Sequence, residues 1–87
     1  SVMRRHMAEV RFCFERELAA NPELAGRVTV SFVIGASGAV QSSSIANTTL
    51  NNAQVEGCLT EAVRRWTFPA PEGGVVMVNY PFVFESE

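Results

Sequence analysis

The sequence predicts an α+β domain of order α-β-β-α-β, with two helices packed on one face of a three-stranded antiparallel sheet. Apolar residues recur at steps of three and four in the first segment and again from Val55 to Trp66, the period of a helix with one buried stripe. They alternate with period two around Val28 to Ile34 and Val76 to Phe84, the period of a half-buried strand. At 87 residues the chain has room for one core and no second domain.

Met3, Met7, Val10, Phe14 and Leu18 share one stripe, which predicts a first helix from Met3 to Ala20. Asn21-Pro22 ends it, because proline disfavours a helical residue before it and cannot continue the hydrogen-bond ladder. From Arg27 to Ile34, Val28, Val30, Phe32 and Ile34 alternate with Thr29, Ser31 and Val33. Gly35-Ala36-Ser37-Gly38 then supplies the glycines of a tight reversal. A second strand, about Ala39 to Ile45, is expected to pair antiparallel with the first. Its Ser42-Ser43-Ser44 run makes it the weaker of the two.

Asn51 followed by Gln54 resembles a capping box, and Val55, Leu59, Ala62 and Trp66 then fall on one stripe of a second helix. Arg64 and Arg65 fall in its last turn, where cations meet the negative end of the helix dipole. Phe68 to Gly74 reads as a loop. Val75 to Phe84 reads as the last strand, with Val76, Val78, Tyr80, Phe82 and Phe84 on one face. Pro81 donates no backbone hydrogen bond, which assigns this strand to a sheet edge or a bulge.

Hydrophobic residues make up 47% and charged residues 18%, the balance of a folded domain. A net charge of −2 and a pI near 5.3 exclude a broad polyanion-binding face. All seven basic residues are arginines, and Arg4, Arg5, Arg11 and Arg16 interleave with Glu9, Glu15 and Glu17 as a solvated helix face. The uncharged run from Gly35 to Val55 is rich in Ser, Asn, Thr and Gly, which excludes a membrane-spanning helix there. No signal peptide is visible, and a helical pattern already runs at Met3. Residues 1–87 are therefore expected to be a single domain cut from a longer protein.

The catalytic inventory is thin. The chain contains no Asp and a single histidine, His6, which leaves no Ser-His-Asp arrangement and reads by default as solvent-facing. The nine glutamates form no pair in an identifiable apolar pocket, and Gly35 to Gly38 lacks the lysine and the following helix of a phosphate loop. No enzyme activity, cofactor or metal is expected. Cys13 lies beside the buried stripe of the first helix and Cys58 beside that of the second. A disulfide, buried free thiols, or a metal or redox site including His6 all remain open to the pair. A bridge closing a loop of about 45 residues would stabilise by roughly 4 kcal/mol in the chain-entropy model. Trp66 points toward the core by its helical phase, whereas Phe12 lies nearly opposite the first stripe and is expected to be exposed.

Gly26-Arg27-Val28-Thr29-Val30-Ser31-Phe32-Val33-Ile34, the turn into Gly38-Ala39-Val40, and Val63-Arg64-Arg65-Trp66-Thr67-Phe68-Pro69 resemble the signature of TonB C-terminal domains. A narrower likeness is to the AgmX/PglI C-terminal variant, carried by Cys13, Cys58 and Tyr80-Pro81-Phe82-Val83-Phe84. The resemblance implies a periplasmic domain at the end of a spacer from an inner-membrane anchor, within an energy-transducing or gliding-motility machine. It further implies capture of an extended segment of an outer-membrane or periplasmic protein, added as a strand beside the last strand. The chain departs from the best-known members in lacking a Gln-x-Pro peptide.

The last strand is the candidate site on the residues' own account as well. An unpaired edge offers main-chain donors and acceptors to an extended peptide, with Val75, Met77, Asn79 and Val83 turned outward. The expected partner-binding residues are Val75, Val76, Met77, Val78, Asn79, Tyr80, Pro81 and Phe82. The rival reading is a structural dimerisation domain that pairs the same edge with a second copy, and native edges also carry proline to discourage pairing.

Overall fold

The first apolar stripe folds in two pieces. In the computed structural model, which describes residues 1–86, α1 spans Val2–Arg5 and α2 spans Met7–Glu15, with His6 between them at φ −104°, ψ 5°. The single helix from Met3 to Ala20 is thus corrected at both ends. Beyond Glu15 the bonds tighten: Glu17 N–H donates to the Phe14 carbonyl at 3.0 Å and Leu18 N–H to that of Glu15 at 3.1 Å. Bonds of this three-residue span close turns and terminate a helix. Leu18 still packs against the core from this turn.

The strands are β1 (Gly26–Ile34), β2 (Val40–Thr48) and β3 (Val76–Phe84), and the sheet order is β2-β1-β3 with both pairs antiparallel. β2 runs on to Thr48, past the Ile45 read from the sequence. Its register against β1 shifts twice, leaving Gln41 and Ala46 without a partner as bulge residues. The shifts return Val40, Ser43 and Ile45 to the covered face opposite Ile34, Phe32 and Val30. Gly38 sits in the hairpin at φ +98°, and a Cβ there would lie 2.0 Å from the Phe68 carbonyl oxygen. The two residues are also bonded, Phe68 N–H to the Gly38 carbonyl at 2.8 Å, so the β1–β2 turn clamps the segment leaving the last helix.

That helix, α3, spans Ala53–Arg64, and its cap is Asn52 rather than Asn51. Asn51 is in the left-handed region at φ 54°, a turn conformation that asparagine tolerates better than most residues. The Asn52 carboxamide oxygen accepts from Val55 N–H at 2.9 Å, while the Glu56 carboxylate accepts from Asn52 N–H at 3.0 Å and from the Thr48 hydroxyl at 2.9 Å. The carboxylate thus joins the helix start to the end of β2.

The helices cover one face of the sheet. Val28, Val30, Phe32 and Ile34 of β1 are buried with Val10 and Phe14 of α2 and with Val55, Leu59 and Val63 of α3. Cys13 of α2 and Cys58 of α3 form a disulfide with Cα atoms 5.6 Å apart, which takes both sulfurs out of any metal set. Among the described residues no group of three or more His, Cys or Glu is placed to hold a metal ion. No helix of the described residues is long and apolar enough to cross a membrane.

Candidate functional site

Strand order sets the chemistry of β3. With β1 in the middle, β3 has one edge paired and, among the described residues, the other free. Which of its backbone groups face outward follows from the parity of β1. The Arg27 carbonyl accepts from Thr49 N–H at 2.8 Å, Arg27 N–H donates to the Thr49 hydroxyl, and Gly35 N–H donates to the Ala39 carbonyl at 2.8 Å. Odd-numbered β1 residues therefore turn their backbone toward β2, and even-numbered ones toward β3.

The β1–β3 register runs without a shift from Gly26 opposite Phe84 to Ile34 opposite Val76. Val28, Val30, Phe32 and Ile34 thus bond Phe82, Tyr80, Val78 and Val76. Met77, Asn79, Pro81 and Val83 stand opposite odd-numbered residues and direct their backbone groups to the free edge. Pro81, opposite Thr29, sits where β1 needs no donor, so it enters the strand without a bulge. The free edge offers an N–H and a carbonyl at Met77, Asn79 and Val83, and a carbonyl alone at Pro81.

Side chains alternate with the same parity. Val78 and Tyr80 are half-buried and Phe82 and Phe84 buried beneath the helices, while Met77, Asn79, Pro81 and Val83 lie on the open face. Met77 is 69% and Val83 65% exposed, two large apolar side chains on the same open face. Val76 is a correction: read as part of the inward stripe, it is 41% exposed because the strand begins beyond the helices' cover. Val75, just before the strand, is also exposed. The eight expected partner-binding residues thus run along one edge strand, exposed from Val75 to Met77 and buried at Phe82; of those within β3, Met77, Asn79 and Pro81 turn backbone groups outward while Val76, Val78, Tyr80 and Phe82 face β1.

A groove of about 530 Å³ runs between α2 and the end of β3, lined by Met7, Arg11, Phe14 and Leu18 on one side and Val83 and Phe84 on the other. A smaller one continues it past Tyr80 and Pro81. A chain laid along the free edge of β3 past Tyr80 turns every second side chain toward the helix side, where this trough lies. Its rim charges, Arg11, Glu15 and Glu85, are of both signs.

His6 is not free in solvent, as its isolation in the sequence suggested. Its ring stacks on Trp66 with centroids 4.5 Å apart, and its Nδ1 lies 3.4 Å from the Glu9 carboxylate. Glu9 also accepts from the Trp66 indole N–H at 2.6 Å, and its other oxygen lies 3.8 Å from the Arg65 guanidinium. Trp66 itself is buried, as its helical phase predicts. The i, i+3 spacing of His6 and Glu9 was the available signal for the contact, but their meeting with Trp66 depends on how α2 and α3 dock. Phe12 is exposed as expected, with the Arg16 guanidinium 5.8 Å over its ring.

Taken together, these features define a small α+β module with a disulfide joining its two main helices and a free sheet edge. The chain belongs to the family of Gram-negative bacterial TonB protein C-terminal domains, whose model matches residues 17–86. Two solution structures of the Helicobacter pylori TonB C-terminal domain share its fold. One matches with a TM-score of 0.61 at 21% identity, covering 98% of this chain and 94% of that one. The longer form matches with a TM-score of 0.58 at 20% identity, covering 95% of this chain and 82% of that one. No curated protein matches the sequence. The family match is to TonB C-terminal domains as a whole, and the narrower AgmX/PglI likeness stays with the sequence features that suggested it.

Proposed function

We propose that this domain is a periplasmic protein-binding module of an envelope-spanning, TonB-like energy-transducing machine, and that it captures an extended peptide by strand addition at β3. The observation that carries this is the free edge itself: outward backbone groups at Met77, Asn79 and Val83, in line with a trough for alternate side chains. Family membership supports the envelope setting and a binding rather than enzymatic role. An anchor in the inner membrane and a partner among outer-membrane or periplasmic proteins complete the reading. A gliding-motility assignment is its narrower form and is supported by Cys13, Cys58 and the Tyr80-Pro81-Phe82 ending alone.

The test is a photo-crosslinking amino acid at Asn79 in protein exported to the periplasm, with adducts identified by mass spectrometry. The expected adduct is to an extended segment of an envelope protein, and it disappears when Met77→Pro is added. Adducts that survive Met77→Pro overturn the reading.

A further inference from the structure

The same edge is open to two occupants, a foreign strand or the β3 of a second copy, and the placement of Pro81 separates them. We infer that Pro81 is a specificity residue that disfavours self-pairing of β3 while leaving the edge open to a foreign strand. The inference rests on the reading of β3 as a binding edge.

Symmetry separates the two occupants. Two copies joined through β3 by a two-fold axis run antiparallel, and every contact occurs twice. Outward-facing residues then pair with one another: Pro81 meets an outward residue of the other copy, and the other Pro81 meets the equivalent residue here. Each such pair normally exchanges two backbone bonds, and each loses the one that Pro81 cannot donate. Two carbonyls of the joined sheet are left facing a proline ring. This holds for every two-fold register in which Pro81 faces the other copy's strand, Pro81 against Pro81 included; the pairings that avoid it are short ones near the start of β3, with at most Met77 and Asn79 of the outward residues joined.

A foreign strand carries no such duplicate. It meets Pro81 once at most, or not at all if it ends opposite Tyr80, and it keeps both bonds at Met77 and at Asn79. It is also free to place proline, or the end of its extended run, opposite Pro81, where its own carbonyl needs no donor. The defect therefore falls twice on the homodimer and at most once on the complex. The exposed Met77 and Val83 sharpen the need for such a device, since large apolar side chains flanking an open edge favour association.

The test needs no identified partner. Sedimentation velocity of the 87-residue chain, with its disulfide intact, is run over a wide concentration range for the wild type and for Pro81→Val. Valine restores the outward N–H and fits a strand. The wild type is expected to stay monomeric, and Pro81→Val to self-associate about 10- to 100-fold more tightly, as expected for two regained backbone bonds. Adding Asn79→Pro to Pro81→Val removes another outward donor without touching the bonds to β1, and is expected to return the protein to monomer.

Pro81→Val that associates no more than the wild type overturns the inference. So does a wild type that already dimerises through β3, or a Pro81→Val dimer that Asn79→Pro leaves unchanged. Capture is read separately by the crosslink at Asn79 in the wild type. Loss of that crosslink with self-association of Pro81→Val intact would reject the binding function and keep the role of Pro81. The converse result would reject only the role of Pro81.

Discussion

The indole nitrogen of Trp66 donates to the carboxylate of Glu9 at 2.6 Å, joining the segment just past α3 to α2 across 57 residues of sequence. Trp66 is buried and has no second polar atom, so its N–H depends on this acceptor. Glu9→Ala leaves a desolvated donor without a partner and is expected to lower stability by about 1–2 kcal/mol. Glu9→Gln keeps an acceptor in place and should recover more than half of that. Urea unfolding followed by the fluorescence of Trp66, the sole tryptophan, measures both. Equal losses for the two variants would show that charge, through His6 and Arg65, matters more than the indole bond.

The disulfide holds the same two helices from another point. Cys13 is fully buried and its bridge to Cys58 spans a sequence separation of 45. Cys58→Ser is therefore expected to cost roughly 4 kcal/mol in the chain-entropy model, a large part of the stability of a domain this small. Denaturant midpoints with and without reductant check it. The wild type should lose stability on reduction, and Cys58→Ser should not respond.

Gly38 tests the clamp between the hairpin and the segment after α3. At φ +98°, with the Phe68 carbonyl 2.0 Å from the position of a Cβ, alanine forces both a strained backbone and a displaced neighbour. Gly38→Ala is expected to destabilise by more than about 1 kcal/mol, whereas Gly73→Ala, where a Cβ meets nothing within 4 Å, serves as the control. Thermal unfolding of the pair gives the difference directly.

Much of this architecture is legible before any coordinates. The stripe of Val55, Leu59, Ala62 and Trp66 and the alternation of Val28, Val30, Phe32 and Ile34 mark buried faces because their periods are local properties of the chain. Cys13 and Cys58 each lie beside such a stripe, which makes their meeting an expectation once the helices share a face of the sheet. The break at His6 is less visible, since Met3, Met7 and Val10 keep helical spacing straight through it. The interruption coincides with the stacking of His6 on Trp66, a tertiary contact that no local spacing encodes. The cap moved from Asn51 to Asn52 because two adjacent asparagines compete, and Glu56 at the end of the first turn satisfies the second one. For the candidate site, Pro81 marks an edge strand from sequence alone. The side to which its nitrogen turns required the bonds of Arg27, two strands' worth of pairing away from any local pattern.

That parity yields the sharpest prediction for β3. Met77 and Val78 are neighbours with similar apolar bulk, but Met77 directs its backbone to the free edge and Val78 toward Phe32. Proline at Met77 removes a donor that no part of this chain uses, and the fold should keep its thermal midpoint within a few degrees, as it already accommodates Pro81. Proline at Val78 deletes a bond to the central strand and strands the Phe32 carbonyl beneath the helices, at a cost of about 1–3 kcal/mol. Circular dichroism melts of the two variants measure the asymmetry. A larger loss for Met77→Pro than for Val78→Pro would invert the parity, turn the Pro81 nitrogen toward β1, and remove the basis for reading Met77, Asn79 and Val83 as the groups that a captured strand would bond.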